Sequence, residues 1–357
     1  MNNNFINAIN HKKTDHIPVW FMRQAGRYLP EYLEIRKKAG SFLDLCKNVD
    51  LATTATLQPI NRFPLDAAIL FSDILVIPEA LGMELDFIQN EGPKFNNKIT
   101  SLEDINNLNV NDIEKNLDYV FNIIKQCKSQ LPKNIPLIGF CGSPFTLACY
   151  MIEGSSSSNY INTKKMIYNH PEIINILLEK LTVSCIKYLK NQINSGIDAV
   201  MIFDSWGGIL SQEAYLNFSL KFIKNIIHEL KNDENIKKIP SIVFTKGGGV
   251  WLPHIKQINS DVIGIDWTIS LGSARSIIGN DVILQGNLDP MILAVGDKIK
   301  ISQEAKNILD EYYLANNNST SGLIFNLGHG IHLSTNPDNV SLLIETVHNY
   351  KFSKVNQ

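Results

Sequence analysis

Paired cysteines are missing from this sequence. Its 357 residues contain five cysteines, and no two of them form a Cys-x-x-Cys pair. An odd number of widely spaced thiols argues against a disulfide framework and against a structural zinc site. We therefore expect reduced thiols and a cytoplasmic location. The cysteines are Cys46, Cys127, Cys141, Cys149 and Cys185.

Long apolar runs are also missing. No stretch of about 18 residues is apolar throughout, so we predict no membrane-spanning helix and no membrane partner. The first 17 residues have neither the apolar core of a secretory signal nor the arginine content of a transit peptide.

The chain has little net charge. Its formal value is −2, which argues against a globally basic nucleic-acid binder. Basic residues nevertheless outnumber acidic ones between positions 11 and 38, and such a local excess can attract an anionic small molecule. A solvated helix face would explain the basic run at 36–38, but it explains Arg23 and Arg27 poorly.

The composition is that of a globular protein with a sizeable core, with 44% apolar and 19% charged residues. Eight short apolar runs, each followed by a small or polar group, are typical of parallel strands buried on both faces. They are Val19–Met22, Ala67–Phe71, Leu137–Phe140, Ala199–Phe203, Ser241–Phe244, Val262–Ile265, Val282–Leu284 and Leu323–Phe325.

Helical patterns lie between these runs, for example at Glu172–Gln192 and Gln212–Leu230. The alternation predicts an α/β fold, a single (β/α)₈ TIM-type barrel domain over residues 1–357, with an active-site cleft at the C-terminal ends of the strands. A doubly wound sheet is the alternative, but no strand leads into a Gly-x-Gly-x-x-Gly or Walker loop. Leu81–Phe95 is expected to be an excursion from the repeat, and residues 154–159 a flexible polar loop that is either a lid or a linker.

The first strand run breaks into a loop that carries two arginines. The loop places two guanidiniums four residues apart, with small residues between them. Its residues are Arg23, Gln24, Ala25, Gly26 and Arg27. Arginine pairs carboxylates bidentately and keeps its charge, so the loop suits an anionic ligand. The alternative is a surface loop whose arginines pair with nearby glutamates.

Other strand ends supply further candidates. Asp73 is flanked by apolar residues on both sides, and either caps the following turn or offers a partly desolvated carboxylate to a ligand. Tyr150 follows a Pro-initiated helix start, where a packed core tyrosine is the commoner outcome. Ser205 lacks a Gly-x-Ser-x-Gly elbow, so acyl-enzyme chemistry is not predicted. His329 lies between two glycines, and with His332 it lacks a third metal ligand nearby, so we expect no metal site.

Several of these motifs together resemble the uroporphyrinogen decarboxylase family. Met-Arg-Gln-Ala-Gly-Arg-Tyr at 22–28 is similar to that family's N-terminal signature, and Phe-Ser-Asp-Ile-Leu at 71–75 to the setting of its central aspartate. Residues 139–154 resemble its second signature, a Gly-Phe-x-Gly-x-Pro loop with a tyrosine on the next helix. The sequence departs from the family pattern in a serine-rich stretch after Gly154 and in the loop that follows His329.

The resemblance implies cofactor-independent decarboxylation of the four acetate side chains of uroporphyrinogen III to methyl groups, giving coproporphyrinogen III. It implies Asp73, Arg23 and Arg27 as catalytic residues. It also implies that the protein is a homodimer and that it acts on a small-molecule substrate. We expect no metal and no nucleic-acid partner. The substrate-binding residues would be Arg23, Gln24, Ala25, Gly26, Arg27, Asp73, Tyr150, Ser205 and His329.

Two other classes of protein have to be weighed. Cobamide-dependent and related zinc methyltransferases resemble this family in fold, but they need a His-x-Cys motif that the sequence lacks. A non-catalytic tetrapyrrole carrier would need only the arginines and an apolar pocket. Detection of CO₂ release separates the carrier from the enzyme.

Overall fold

The fold is built on one parallel sheet with helices packed around it, as seen in a computed structural model that describes residues 3–88 and 92–352. Seven strands form the sheet in the order β1-β4-β5-β6-β7-β8-β9, and β2 and β3 form a separate antiparallel pair. The strands are β1 Ala68–Ile69, β2 Leu85–Ile88, β3 Gly92–Phe95, β4 Leu137–Gly142, β5 Ala199–Asp204, β6 Ser241–Thr245, β7 Val262–Gly264, β8 Ile283–Leu288 and β9 Leu323–Leu327.

Helices follow most of the strands, as the alternating pattern predicts. Short 3₁₀ turns and one π-helical segment, Leu216–Leu220, interrupt them. The α-helices are α1 Asn4–Ile9, α2 Pro30–Ala39, α3 Phe42–Lys47, α4 Val49–Arg62, α5 Val76–Ala80, α6 Leu102–Asn106, α7 Ile113–Asn116, α8 Asp118–Gln130, α9 Pro144–Glu153, α10 Ile161–Asn169, α11 Pro171–Asn194, α12 Gln212–Tyr215, α13 Lys221–Asn232, α14 Leu252–Ile255, α15 Leu271–Ile278, α16 Pro290–Val295, α17 Lys298–Ala315 and α18 Pro337–His348.

The predicted parallel α/β fold is confirmed. The apolar runs from β4 to β9 are strands within one or a few residues of the predicted limits, and almost all of their side chains are buried. Both predicted helices are present, one as α11 and the other divided into α12, the π-helical segment and α13. None of the helices in the described ranges is long and apolar enough to cross a bilayer.

The first predicted strand, Val19–Met22, is wrong in detail, and the sheet has seven strands rather than eight. Val19 forms only a single parallel bridge to Phe325 of β9. Side chains take the backbone N–H groups that a strand ladder would use, since Val19 donates to the Asp66 carboxylate at 2.8 Å and Phe21 to Gln24 Oε1 at 3.1 Å. The carbonyl of Val19 accepts from Asp66 N at 2.8 Å, so the segment still contacts both edges of the sheet.

The predicted excursion at Leu81–Phe95 lies outside the parallel sheet and contains the hairpin of β2 and β3, with residues 89–91 outside the described ranges. The polar loop after α9 begins at Gly154, which has φ +79° and caps the helix. Phe95 N donates to Gly154 O at 2.7 Å, and Lys94 bridges to Ser155. The hairpin and the polar loop therefore form one structural unit.

Candidate active site

The parallel sheet brings the carboxyl ends of its strands to one edge, and this places the predicted side chains near one another. Asp73 follows β1, Ser143 follows β4, Ser205 follows β5, Lys246 follows β6 and His329 follows β9. The loop that carries the arginines follows the Val19 bridge, next to β9.

The arginine loop is held by Gln24, whose side chain is buried. Its amide oxygen accepts from Phe21 N at 3.1 Å and its amide nitrogen donates to Ala67 O at 3.2 Å. The Tyr28 hydroxyl donates to the Gln24 carbonyl at 2.8 Å. The resemblance implied that Gln24 binds substrate. In the structure, however, its amide oxygen is bonded to the arginine loop and its amide nitrogen to Ala67, the residue before β1.

Tight backbone geometry turns the arginines outward. Arg23 has φ +60°, in the left-handed region, and a Cβ on Gly26 would lie 3.0 Å from the Arg23 carbonyl oxygen. Ala25 is half-buried beside them. The aliphatic part of Arg23 packs on Gly330, where a Cβ would lie 2.5 Å from Arg23 Cδ. Only glycine at position 330 leaves this path for the arginine side chain.

Neither arginine is used in an ion pair in the described parts of the chain. Both are exposed, and Glu31, one of their expected partners, pairs instead with Arg62 at 3.0 Å. The two guanidiniums are therefore available to a ligand. The charge of Arg23 acts on the pKa of Asp73, whereas the charge of Arg27 acts on that of Tyr32.

Asp73 is a carboxylate that lies close enough to Arg23 for the two charges to interact. It is half-buried, and one of its oxygens accepts from Leu75 N at 2.8 Å, which fixes its direction at the start of α5. Burial raises the pKa of this carboxyl, the Leu75 N–H and Arg23 oppose the rise, and Glu79 adds to it. The other carboxylate oxygen can accept a hydrogen bond from a ligand.

Tyr150 lies on α9, which starts in the way that the sequence predicts. Ser143 caps the helix by accepting from Thr146 N at 3.0 Å, and Pro144 occupies the first turn. The tyrosine ring packs 6.0 Å from the Trp206 ring. Burial and the nearby Asp73 charge raise the pKa of Tyr150 to about 12, so it stays a neutral hydroxyl donor at physiological pH.

Two neighbouring residues at the end of β5, Asp204 and Ser205, have different environments. Asp204 is fully buried, burial raises its pKa, and four hydroxyl groups donate to it. Ser205, the next residue, is half-buried. The hydroxyl donors to Asp204 are Ser143 at 2.7 Å, Ser219 at 2.9 Å, Thr245 at 3.2 Å and Thr146 at 3.3 Å. This network fixes the backbone from which Ser205 projects.

His329 is half-buried at the end of β9, with its ring 6.0 Å from Phe244. Burial, helped by the positive charges of Arg23 and Lys246, lowers the pKa of His329 to about 3. The imidazole is therefore neutral at physiological pH and can donate one N–H to a carboxylate. His332, which made His-x-x-His in the sequence, is exposed and bonds Ser334 Oγ at 2.7 Å.

Lys246 follows β6 and belongs to the same group of strand-end side chains. Its ammonium lies 5.8 Å from the Trp206 ring and 6.0 Å from the Trp267 ring. Asp266 and Asn287, from the next two strand ends, hold the surrounding loops: Asp266 accepts from Thr268 N at 3.0 Å, and Asn287 donates to the Asp266 carbonyl at 2.8 Å.

The cleft thus combines a half-buried carboxylate with cations, a neutral imidazole and a neutral phenol. Arg23 is the common neighbour, because its charge affects the pKa of Asp73, Tyr150 and His329. Together, the parallel α/β fold and the cationic groups at its strand ends are typical of a barrel-type protein whose site suits an anionic small molecule.

Comparisons with known proteins agree with this class of protein and identify the family within it. The family model described as "Uroporphyrinogen decarboxylase (URO-D)" matches residues 1–350. A uroporphyrinogen decarboxylase of Dechloromonas aromatica (strain RCB) is 49% identical over 349 residues, which cover 98% of this chain and 97% of the relative. One from Neisseria meningitidis serogroup A is 48% identical over 347 residues, with 97% and 96% covered. The chain belongs to the uroporphyrinogen decarboxylase family.

A solved methyltransferase from Methanosarcina mazei has the same fold, with a TM-score of 0.78 over 96% of both chains. Its sequence is only 18% identical, so the likeness concerns the fold alone.

Proposed function

We propose that this chain removes CO₂ from the four acetate side chains of uroporphyrinogen III, giving coproporphyrinogen III. Relatives at 48–49% identity over almost the whole chain carry that enzyme's name. One observation carries the proposal: a half-buried carboxylate, Asp73, lies in the same site as two guanidiniums that have no ion-pair partner in the described parts of the chain. A substrate with both ring N–H donors and several carboxylates matches that arrangement.

The substrate can supply its own electron sink, which a decarboxylation otherwise obtains from a cofactor. A proton adds to the α-carbon of the pyrrole, next to the ring carbon that bears the acetate arm, and makes the ring cationic. The bond between the acetate CH₂ and its carboxylate then breaks, CO₂ leaves, and the electron pair returns to the ring as an exocyclic methylene. Protonation of that methylene and release of the ring-carbon proton leave a methyl group, so each acetate consumes one proton.

Asp73 supplies the fixed negative charge that this sequence of steps requires. Its free carboxylate oxygen accepts the pyrrole N–H groups, while the bond from Leu75 N holds the group in place. A preorganised charge opposite a developing cation stabilises the transition state without reorganisation during the reaction. Burial raises the pKa of Asp73, while the Leu75 N–H and the Arg23 charge oppose that rise and favour the ionised form.

The positive and neutral donors hold the carboxylates. Arg23 and Arg27 pair with acetate and propionate groups at the mouth of the cleft. Tyr150, Ser205 and His329 donate single hydrogen bonds that orient the reacting arm, and the uncharged state of the imidazole avoids a third strong ion pair that would retain the product. Gln24, Ala25 and Gly26 shape the loop beneath the substrate.

The proposed setting is a cytoplasmic homodimer that acts on a small molecule without nucleic acid, metal or cofactor. Membership of the family supports the homodimer, the net charge of −2 argues against nucleic acid, and the buried, unpaired thiols fit a reducing cytoplasm. The side chains of the cleft include no cysteine–histidine group that would hold a metal.

The direct test is to incubate the purified chain with uroporphyrinogen III and to measure released CO₂ together with the heptacarboxyl to tetracarboxyl products. We expect one CO₂ for each acetate lost and coproporphyrinogen III as the end product. Tight binding of uroporphyrinogen without CO₂ release would identify a carrier and overturn the proposal.

A further inference from the structure

We propose that His16, Asp66 and His348 form a binding site for a divalent transition-metal ion such as Zn²⁺. The three side chains meet at the amino-terminal end of β1, where Asp66 lies two residues before the strand. Asp73, in contrast, follows the carboxyl end of the same strand. The proposed site is therefore separate from the cleft in which the reaction takes place.

The geometry is close to what a tetrahedral ion needs. The ligand atoms of the three residues all lie within 4.8 Å of one another. His16 Nε2 lies 2.8 Å from Asp66 Oδ1, and His348 Nε2 lies 3.0 Å from Asp66 Oδ2. Zinc bonds of about 2.0–2.1 Å separate tetrahedral ligands by roughly 3.3 Å. Both Asp66–histidine distances are within about 0.5 Å of that value, and rotation of the two imidazoles, whose ligand nitrogens lie within 4.8 Å of each other, would complete the site.

The donor set suits this class of cation. Two imidazoles and one carboxylate are borderline nitrogen and oxygen ligands, which favour zinc and its neighbours over magnesium or calcium. One anionic ligand leaves a net positive charge at the site, which a water or an anion in the fourth position can share. Val19 N also donates to Asp66 Oδ2 at 2.8 Å and so orients the carboxylate.

An entry path is present. A cavity of about 270 Å³ is lined by all three residues, together with Asn4, Leu65 and Asn134 among others. The side chain of His16 is 27% exposed, that of His348 16% and that of Asp66 10%. An ion can therefore reach the cluster without unfolding of the chain, and the cavity leaves room for a fourth ligand.

The cluster joins parts of the chain that are distant in sequence. His16 belongs to the N-terminal segment, Asp66 to the entry of β1 and His348 to the last turn of α18, 282 residues after Asp66. An ion bound by all three would cross-link both ends of the fold to the sheet. Because it would bind the folded chain and not the unfolded one, it would raise the unfolding temperature in proportion to the logarithm of its concentration.

The test uses Zn²⁺ and Co²⁺ added to the metal-free full chain. We expect one equivalent of Zn²⁺ in competition with a chromophoric chelator, a zinc-dependent rise in Tm, and the visible absorption bands of four-coordinate Co²⁺. His16→Gln and His348→Gln should each keep an amide donor for Asp66 and fold normally, yet lose the Tm rise. Removal of a ligand should weaken zinc binding by more than the roughly 10–100-fold that removal of an outer partner costs.

His228→Gln is the matched control, since His228 is exposed and its side chain has polar partners only in Asn232 and Glu229 among the described residues. This variant should bind one zinc as tightly as the parent chain. The proposal is overturned if the parent binds no stoichiometric zinc, or if His16→Gln and His348→Gln retain its affinity. Should those variants fail to fold, a parent chain without four-coordinate Co²⁺ bands would overturn it equally.

Discussion

At the scale of single residues, the proposed reaction depends most on Asp73. Asp73→Asn keeps the volume and can still accept a hydrogen bond from Leu75 N, but it removes the negative charge. Loss of one preorganised electrostatic group costs on the order of 10²–10³ in rate, and we expect that loss in kcat with an unchanged fold. Turnover and circular dichroism of the same preparation check it. A folded variant with near-normal turnover would falsify the role given to Asp73.

Arg23 and Arg27 can be tested through the geometry of their side chains. Lysine keeps the charge but loses the planar fork, so Arg23→Lys and Arg27→Lys should each lower kcat/KM by roughly 10–100-fold, the worth of a hydrogen bond to a charged group. Tm should stay nearly unchanged, because both side chains are exposed and neither forms an ion pair in the described ranges.

A charge-preserving substitution at Arg62, which pairs with Glu31, is the control for a structural arginine. Arg62→Lys should leave kcat/KM unchanged. If the variants at positions 23 and 27 instead melt much earlier and keep normal kinetics per folded molecule, the two arginines serve the scaffold.

His329 makes stability depend on pH. Its pKa is about 3 in the folded chain, where burial, Arg23 and Lys246 disfavour the charged form, and 6.5 is its ordinary value. The unfolded chain therefore binds more protons between these values, so the contribution is complete above pH 6.5 and is lost as the pH falls towards 3. From pH 7 to pH 5 the expected loss is about 2 kcal/mol.

Denaturant unfolding of the parent chain and of His329→Gln at both pH values measures this loss. The variant should lack that part of the acid sensitivity while it retains the part caused by other groups. An equal loss of stability in both proteins would show that His329 titrates normally in the folded state.

At the scale of elements, continuous apolar runs predicted β4 to β9 well, because strands buried on both faces need such residues throughout. The first run has the same composition, but Asp66 and Gln24 take its N–H groups. These side chains compete with a neighbouring strand for the N–H groups. Because Asp66 is distant in sequence and Gln24 lies beyond the run, the local pattern of the run could not show this competition. The hairpin of β2 and β3 was missed because Gly82, Gly92 and Pro93 in Leu81–Phe95 obscure a strand pattern.

At the scale of the whole molecule, the order of the strand ends predicted that Asp73 and His329 would lie at one edge of the sheet, because parallel strands deliver their next residues there. The choice of Asp73 as a catalytic residue rested on the resemblance to the family and stays a prediction. The electrostatic state of each group could not be predicted, since the low pKa of His329 depends on Arg23 and Lys246 from separate loops. The His16, Asp66 and His348 cluster was missed for a related reason: its members are widely separated in the chain, and only the three-dimensional fold brings them together.

The last prediction separates the reaction from metal binding. Activity should survive exhaustive treatment with a chelator followed by dialysis, because beside the Asp73 carboxylate the cleft offers guanidiniums, a lysine, a phenol and a single imidazole, which do not make a ligand set for a metal ion. In residues 3–88 and 92–352, the only cluster of three such ligands within 4.8 Å is that of His16, Asp66 and His348, at the other end of β1. Chelation should therefore lower Tm if zinc was bound, and leave kcat at the assay temperature unchanged. Activity that disappears on chelation and returns with zinc would place the chain with metal-dependent methyl-transfer enzymes of this fold, and would contradict the self-contained chemistry of the pyrrole ring.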